Sequence, residues 1–489
     1  MYLSKSKYCK GIQCPKILWL EKNKKEYMIN QTNEQVFENG DEVGELAKNL
    51  FGEHINIEFN ENLNQMIEDT KKALKKENAI ITEASFTYKN NFCSVDVLKK
   101  INDEYEIYEV KSSTSVHDIY KDDASYQTYI LLNLGYKVKK VSIVHINSDY
   151  ERIGELELNK FFKIADITEE ALKKQEEIKN NIEKICEYVE NDVEQNEEID
   201  EKCFKPYPCP FFKYCTKEAL EPNIFNIRRI TTKEKIKWYK EGYKTFNELL
   251  NSNIKDIALE QIKFEINNLQ PKINKEKIKE FLKALEYPLY FLDFETFQQP
   301  IPKYNHVKPF MQIPFQYSLH YKLDENGNLE HKEFLAEANK DPRRKLAEQL
   351  VKDIPENVCV IAYNMMFEKM VIKNLANLYE DLKEHLMNIY DNMYDLMIPF
   401  KDRNYYTKEM EGSYSIKYVL PALFPNDESL NYHNLDMIHN GEEAMNMYAN
   451  LEKYNKEEQQ KIRECLLKYC ELDTLAMVKI YEKLIETIK

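Results

Sequence analysis

The sequence lacks any long apolar run. No stretch approaches the ~18 residues of a membrane-spanning helix. The first residues, Met-Tyr-Leu-Ser-Lys-Ser-Lys, also lack the apolar core of a signal peptide. We therefore expect a cytoplasmic protein that makes no contact with membranes.

Positive charge is in short supply as well. Lys and Arg number 69 against 84 Asp and Glu, which gives a formal net charge of −15. Such a field repels polyanions, so any binding of nucleic acid would depend on local basic grooves or bound cations. The balance of 43% hydrophobic and 31% charged residues is that of a folded protein, and a chain of 489 residues corresponds to about three domains.

Cysteine is not scarce, since the chain has ten. In a reducing compartment they argue against a disulfide scaffold and favour a metal site. A long acidic helix is predicted from about residue 169 to 197, and it leads to three cysteines. Cys203, Cys209 and Cys215 lie on one proline-rich loop, where three thiolates can face one soft metal centre. Cys14 is the best candidate for the fourth ligand and Cys9 the reserve. An iron–sulfur cluster, a zinc ion and ordinary thiols are the alternatives at this point.

A predicted β-hairpin, with arms at 92–98 and 105–111, carries a second group of residues. Asp96 lies in the first arm, and Glu109 and Lys111 end the second on one face of the strand. Two carboxylates can hold a divalent ion against a phosphate while a lysine stabilises the developing charge. Exposed strands often carry such charges, so this pattern alone is weak.

The residues around the hairpin strengthen the prediction of a metal-dependent site. With Gln127 in the following helix and the bracketing cysteines, residues 1–216 resemble the RecB-like PD-(D/E)XK nucleases with iron–sulfur clusters, which occur in CRISPR adaptation and in the AddB helicase–nuclease. The resemblance implies a restriction-endonuclease-like core and a 4Fe-4S cluster on the four cysteines. It also implies an active site that includes Gln127, with the two hairpin carboxylates as metal ligands. One departure is Gly44, where those nucleases often have a histidine; Glu45 is a possible substitute.

A third group consists of four acids and a tyrosine: Asp293, Glu295, Glu368, Tyr469 and Asp473. The first two follow a predicted buried strand at 289–292 and share one face, which is costly unless cations neutralise them. Tyr469 and Asp473 share one helix face. Four acids can bind two metal ions, with the tyrosine orienting the attacking water. The alternative is a loop cap and a solvated helix face.

The order Asp-x-Glu, acid, Tyr-x-x-x-Asp resembles the DnaQ-like DEDD exonucleases of the RNase H fold, over residues 286–489. That resemblance implies 3′ to 5′ trimming with Mg²⁺ or Mn²⁺. Glu368 is a departure, because the family usually has Asp there. Asp395 and the segment 412–417 also fit the family pattern.

Residues 217–285 are predicted to form a helical connector, either a plain linker or a degenerate helix-hairpin-helix around Gly242. Its lysines 233, 235, 237, 240 and 244 offer a local basic surface or a solvated face. The whole is predicted to be a multidomain α/β protein: a PD-(D/E)XK core, the connector and an RNase H-like α/β domain. This order resembles an uncharacterised bacterial family of two-nuclease proteins. We expect a metal-dependent DNA nuclease; a DNA-end-binding protein with inactive centres and an RNA-directed exonuclease are the alternatives.

Overall fold

The computed structural model describes residues 2–29, 34–250, 254 and 256–489. The chain forms two compact units. The first contains Met1–Ala219, Tyr239–Glu241 and Gln299–Phe310, and the second contains Leu220–Trp238, Gly242–Gln298 and Met311–Lys489. The predicted mixed α/β, multidomain architecture is confirmed, and most of the predicted connector belongs to the second unit. Within the described ranges, no helix is both long and apolar enough to cross a lipid bilayer.

The first unit has one large sheet surrounded by helices. Its strands are β1 Leu3–Ser4, β2 Ile55–Asn56, β3 Asn78–Tyr88, β4 Asn91–Ile101, β5 Glu104–Lys111, β6 Lys137–Ile146 and β7 Phe162–Asp166. Its helices are α1 Lys5–Gln13, α2 Pro15–Asn23, α3 Glu34–Lys48, α4 Leu63–Ala73, α5 Asp118–Asn133, α6 Leu158–Phe161, α7 Thr168–Lys173, α8 Gln175–Glu190 and α9 Phe212–Cys215.

The strands of this sheet follow the order β2-β3-β4-β5-β6-β7, with β1 parallel to β4. The predicted hairpin is confirmed: β4 and β5 are antiparallel, and their turn places Asn102 at a φ of 55°, which Asn tolerates better than most residues. Strands β5 and β6 are parallel because α5 crosses over between them. This arrangement brings the end of β5 beside the start of α5.

One helix prediction was wrong. The acidic segment 169–197 was expected to form a single long helix, but α7 and α8 are separate and α8 ends at Glu190. Beyond that point no apolar side chains recur at helical spacing, so a continued helix would have no face to bury. The chain becomes extended at Asn191, whose carbonyl accepts a 2.7 Å hydrogen bond from the indole of Trp19.

The second unit is built around a smaller sheet and one very long helix. Its strands are β8 Lys272–Ile273, β9 Leu289–Phe297, β10 Ile313–Lys322, β11 Glu330–Leu335, β12 Cys359–Ala362, β13 Met393–Asp395 and β14 Tyr405–Tyr406. Its helices are α10 Thr232–Lys240, whose last residues belong to the first unit, α11 Phe246–Leu249, α12 Asp256–Asn267, α13 Lys275–Leu282, α14 Arg343–Asp353, α15 Met366–Leu378, α16 Lys383–Asp391, α17 Ile398–Lys401, α18 Ile416–Leu423, α19 Gly441–Ala449 and α20 Lys456–Ile488.

The main sheet of the second unit has the order β11-β10-β9-β12-β13. Strand β9 pairs antiparallel with β10 and parallel with β12, and it is buried along nearly its whole length. Helix α20 begins with a capping box at Asn455 and Glu458 and packs on β9 and β10. The face of β9 toward α20 is therefore where strand and helix side chains meet.

Candidate functional site

An acidic centre forms in the second unit where β9 faces α20. Asp293 and Glu295 lie two residues apart on β9, and Asp473 comes from the middle of α20. One carboxylate oxygen from each of these three residues lies within 4.8 Å of the others. Glu295 is only 8% exposed, whereas Asp293 and Asp473 are half-buried.

Burial raises the pKa of every acid in this cluster, and neighbouring carboxylates add to the effect at Asp293 and Glu295. Burial, followed by Asp473, raises the pKa of Asp293, and burial with Asp473 does the same for Glu295. Burial raises the pKa of Asp473 itself to about 6, against the opposing effects of its hydrogen bond from Tyr432 and of the charge on Lys417. Buried, mutually repelling carboxylates are unfavourable until a cation neutralises them. Oxygen donors of this kind suit Mg²⁺ or Mn²⁺.

The predicted acid Glu368 lies in the first turn of α15 and is 3% exposed. Its Oε2 has no hydrogen-bond partner among the described residues. Burial is the main cause that raises its pKa to about 8, with further contributions from Asp395 and Asp473. An unpartnered buried carboxylate oxygen beside other acids is a donor that a metal ion would satisfy. Glu368 therefore fits the cation site, although it is not part of the 4.8 Å triad.

Two tyrosines and a glycine complete this centre. The hydroxyl of Tyr432 donates a 2.6 Å hydrogen bond to Oδ1 of Asp473, and the predicted residue Tyr469 lies beside it with 5.9 Å between the ring centroids. A Cβ atom on Gly441 would lie 3.7 Å from Oε2 of Glu295 and 4.0 Å from the hydroxyl of Tyr469. Tyr432 was not predicted, because nothing in its local sequence marks it as a neighbour of residues 41 positions away.

A cleft of about 730 Å³ opens next to these tyrosines. Its lining includes Lys417, Leu420, Phe424 and Tyr432. The segment 412–417, predicted as a substrate-side element, leads into this cleft through the start of α18. Asp395, the other predicted match, accepts hydrogen bonds of 3.0 Å from the backbone N–H groups of residues 364 and 397. Its contacts are thus those of a structural residue at the end of β13.

The first unit also brings its predicted residues together. The Lys111 ammonium lies 2.6 Å from Oε1 of Glu109, and the Gln127 amide donates to Oε2 of the same carboxylate at 2.6 Å. Oδ2 of Asp96 accepts a 2.8 Å hydrogen bond from the backbone N–H of Val110. This bond fixes the Asp96 side chain of β4 next to Glu109 of β5. All four predicted residues thus surround the end of β5, and Glu109 is completely buried.

Two residues of this centre were missed by sequence reasoning. Asp123 accepts hydrogen bonds from Lys111 at 2.7 Å and from Gln127 at 3.1 Å. It lies one turn before Gln127 on α5, so helical spacing could have found it. Lys5 contacts Oδ1 of Asp96 at 3.0 Å and Oε1 of Glu109 at 3.1 Å. The Lys5 ammonium therefore contacts the same two carboxylates that were predicted to hold a metal ion.

Electrostatics keep both lysines charged. Burial lowers the pKa of Lys5, but Asp96 and Glu109 outweigh that effect and raise it. Burial likewise lowers the pKa of Lys111, and Asp123 with Glu109 raises it overall. The centre therefore contains two permanent cations.

The expected histidine substitute, Glu45, contacts Lys48, whose ammonium also lies 3.6 Å from Oε1 of Glu83. The Glu45 side chain is 73% exposed and binds Lys48 at 2.5 Å. The extra carboxylate is instead Glu83, which lies in β3 between Thr82 and Ala84, where the pairing with β4 is interrupted opposite Asp96 and φ is 56°. Burial, followed by Asp96, raises the pKa of Glu83. A Cβ atom added at Gly44 would meet no other atom within 4 Å, so a side chain fits there.

The four predicted cysteines line one small cavity: Cys14, Cys203, Cys209 and Cys215. Burial raises the pKa of the Cys209 thiol to about 12 and that of Cys215 to about 11, the latter opposed by Lys16. Lys202 opposes the same effect at Cys14. Three buried thiols and the half-buried thiol of Cys215, with lysines beside them, form a donor set that suits a soft, positively charged metal centre.

Cys9, the alternative ligand, is not among the residues that line this cavity. Burial raises its pKa, and its nearest charges are Asp123 and Lys111 of the acidic centre. Cys14 ends α1 and precedes Pro15, the first residue of α2. The Gln13 amide donates to the carbonyls of Lys202 at 2.8 Å and Tyr207 at 2.7 Å, which ties this turn to the cysteine loop.

The connector offers little continuous basic surface. Lys235 donates to the carbonyl of Phe225 at 3.0 Å, and burial lowers its pKa to about 8. Lys240 binds Asp200 at 2.9 Å. Gly242 has a φ of +96° between α10 and the four-residue helix α11. A helix of four residues is short for the second arm of a helix-hairpin-helix.

Comparison with known proteins places part of the second unit in a described domain. Residues 290–415 match DUF2779, a domain of unknown function. The chain is also similar to "Uncharacterized protein MG366" of Mycoplasma genitalium, with 27% identity over 289 residues. The similar region covers 50% of this chain and 43% of that relative, so the chain spans less than half the length of the curated protein it matches. The DUF2779 match contains Asp293, Glu295 and Glu368 and ends before Asp473.

Proposed function

We propose that this chain is a metal-dependent nuclease that hydrolyses phosphodiester bonds of DNA, with 3′ to 5′ exonuclease activity in the second unit. The observation that carries the proposal is the convergence of Asp293, Glu295 and Asp473 within 4.8 Å. Buried Glu368, with an unpartnered oxygen, and the adjacent Tyr469 support it. The mixed sheet, with three antiparallel strands extended by two parallel ones, is the arrangement expected for an RNase H-like domain.

Each residue of the acidic centre would have its own role in phosphodiester hydrolysis. Divalent ions held by the acids would supply an activated water and neutralise the leaving oxygen. Tyr432 holds Asp473 in place through its 2.6 Å hydrogen bond. Tyr469 would orient the attacking water. Lys417 and the apolar wall of the 730 Å³ cleft would receive the strand end.

The test is cleavage of end-labelled single-stranded DNA in Mg²⁺ or Mn²⁺, with a matched RNA strand in parallel. Asp293→Asn should abolish 3′ trimming, because the amide cannot replace the charge of a metal ligand. Asp391→Asn, at an exposed aspartate of the same unit, is the matched control and should keep full activity. Loss of trimming in both variants, or in neither, would contradict the assignment. Preference for the RNA strand would make the enzyme an RNA-directed exonuclease.

For the first unit, we propose a RecB-like PD-(D/E)XK centre. Asp96, Glu109, Lys111 and Gln127 surround one point, as the resemblance implies. The contact of Lys5 with both carboxylates favours a second candidate function for this unit, which is gripping DNA without cleaving it. Lys111→Ala separates the two: a nuclease loses internal cleavage, whereas a binding module loses affinity with no cleavage to lose.

We also propose that the four-cysteine cavity holds an iron–sulfur cluster of the 4Fe-4S type. The charges of Lys16 and Lys202 would offset the negative charge of the thiolates. Anaerobically purified protein should contain iron and absorb visible light, and Cys209→Ala should lose both. Cys186→Ala, at a half-buried cysteine of α8, is the control and should retain them. If the wild type contained zinc in place of iron, the four cysteines would bind a structural zinc ion instead of a cluster.

A further inference from the structure

A pair of histidines lies on the sheet face of the second unit that α20 covers. His320 on β10 and His331 on β11 are directly opposite each other across the antiparallel strands, and their ring centroids are 4.4 Å apart. Glu471 of α20 lies beside them. One ligand atom from each of these three residues lies within 4.8 Å of the others.

Two buried hydroxyls hold the imidazole rings. Nδ1 of His320 lies 2.8 Å from Thr474 Oγ1, and Nε2 of His331 lies 2.9 Å from Ser318 Oγ. The two hydroxyl oxygens lie 2.6 Å apart, and that of Thr474 also lies 3.1 Å from the carbonyl oxygen of Glu471. These contacts are compatible with each ring donating its N–H to a hydroxyl oxygen, with Ser318 donating to Thr474 and Thr474 to the Glu471 carbonyl.

In that arrangement Nε2 of His320 and Nδ1 of His331 are the nitrogens that keep a lone pair for a metal ion. Burial, with the neighbouring His331 ring, lowers the pKa of His320 to about 4, so that imidazole is neutral near pH 7. Histidines that bind metals almost always donate their other ring N–H to a fixed oxygen acceptor, which sets the ring orientation. Both rings already have that partner, from side chains that are almost completely buried.

We propose that His320, His331 and Glu471 form a transition-metal site that binds Zn²⁺. Two imidazoles and one carboxylate are a common zinc donor set, with water as the fourth ligand. Glu471 is exposed, so its side chain can adjust to the ion. The site is chemically distinct from the acidic centre, whose ligands are carboxylates alone. The proposal does not depend on the nuclease function.

The site would fix α20 to two strands of the sheet. Thr474, which orients His320, directly follows Asp473 in the chain, and Tyr469 precedes Glu471 by two residues. An ion bound here would therefore anchor the turn of α20 that supplies the acidic centre. Its expected role is to hold that turn in place.

The experiment counts Zn²⁺ bound by the full chain after removal of loosely bound metal, by equilibrium dialysis with Zn²⁺ alone. The wild type should bind one more equivalent than His331→Ala, and Glu471→Gln should weaken that equivalent at least tenfold. Two control variants should keep this additional equivalent of Zn²⁺: His433→Ala, at an exposed histidine, and Asp293→Asn. The thiol site is common to all variants and cancels in these differences.

Zn²⁺ should also raise the melting temperature of the wild type more than that of His331→Ala. Equal stoichiometry and equal affinity in the wild type and His331→Ala would overturn the proposal. If His331→Ala does not fold, Glu471→Gln provides the same comparison at an exposed position, and unchanged Zn²⁺ affinity there would equally overturn it.

Discussion

Glu368→Gln should stabilise the metal-free protein at neutral pH. Glu368 is 3% exposed and its pKa is raised from 4.5 to about 8, first of all by burial. A group with a raised native pKa contributes stability below its unfolded pKa and loses it as pH rises toward the native value. The wild type therefore becomes less stable between pH 4.5 and pH 8.

The size of the effect follows from the pH interval. At pH 7, which lies about 2.5 pH units above the usual Glu value, the cost of holding Glu368 protonated is about 3 kcal/mol. Glutamine has nearly the same shape and cannot ionise, but its amide must find new partners, so a net gain of about 1–3 kcal/mol is expected. At pH 5 the interval shrinks, and the expected gain falls below about 1 kcal/mol.

Differential scanning calorimetry in EDTA at pH 7 and pH 5 measures this difference. For a unit of this size the gain at pH 7 corresponds to a rise of roughly 3–8 °C in melting temperature. Glu384→Gln, at an exposed carboxylate of α16, is the control and should shift it by less than about 2 °C. Excess Mg²⁺ should make the wild type melt at a higher temperature than Glu368→Gln, because only the wild type has the Glu368 carboxylate to bind the ion. A lower melting temperature for Glu368→Gln at pH 7, or an equal difference at both pH values, would refute the reasoning.

Three further outcomes are expected. Lys5→Met in the Asp293→Asn background should bind Mn²⁺ more tightly by electron paramagnetic resonance titration, because the ammonium no longer contacts the two carboxylates of the first unit; unchanged affinity would contradict this. Gly11→Ala should destabilise the first unit by about 1–3 kcal/mol, since its Cβ would lie 2.6 Å from Cδ1 of Ile185. The double variant Gly11→Ala, Ile185→Ala should lose less free energy of unfolding, measured by urea denaturation, than the two single variants lose in sum; strictly additive losses would argue against the clash. Gly44→His should fold normally, because a Cβ atom at this position meets no other atom within 4 Å, and the added imidazole should raise Mn²⁺ affinity at the first centre; loss of folding or unchanged Mn²⁺ affinity would contradict this.

Local periodicity explains which parts of the two centres could be predicted. Asp293 with Glu295, and Glu109 with Lys111, are two residues apart on strands, so their shared faces can be deduced from spacing alone. The hairpin was predictable because its turn is short and polar between two β-patterned arms. The end of α8 was not, because the acidic residues beyond Glu190 still favour a helix locally and only the absence of a face to bury opposes it.

Other parts of the centres depend on contacts that spacing does not reveal. Lys5 reaches Asp96 across 91 positions of the chain, and no local pattern announces that contact. Glu83 has a left-handed φ of 56° at a gap in the pairing of β3 with β4, and the sequence gives no sign of that backbone conformation. His320 and His331 meet because of the register between β10 and β11, which a one-residue slip would destroy.

Helix α1 has a consequence for how damage at one place is felt at another. Lys5 begins the helix, Ser4 caps its first turn, and Cys14 follows its last residue. A helix of this length spans about 13 Å, and its Gly11 lies against Ile185 with no spare room. We therefore expect the helix to move as one rigid body. Oxidation or alkylation that displaces Cys14 should also displace Lys5 from Asp96 and Glu109, and so alter a centre whose proposed ligands are carboxylates.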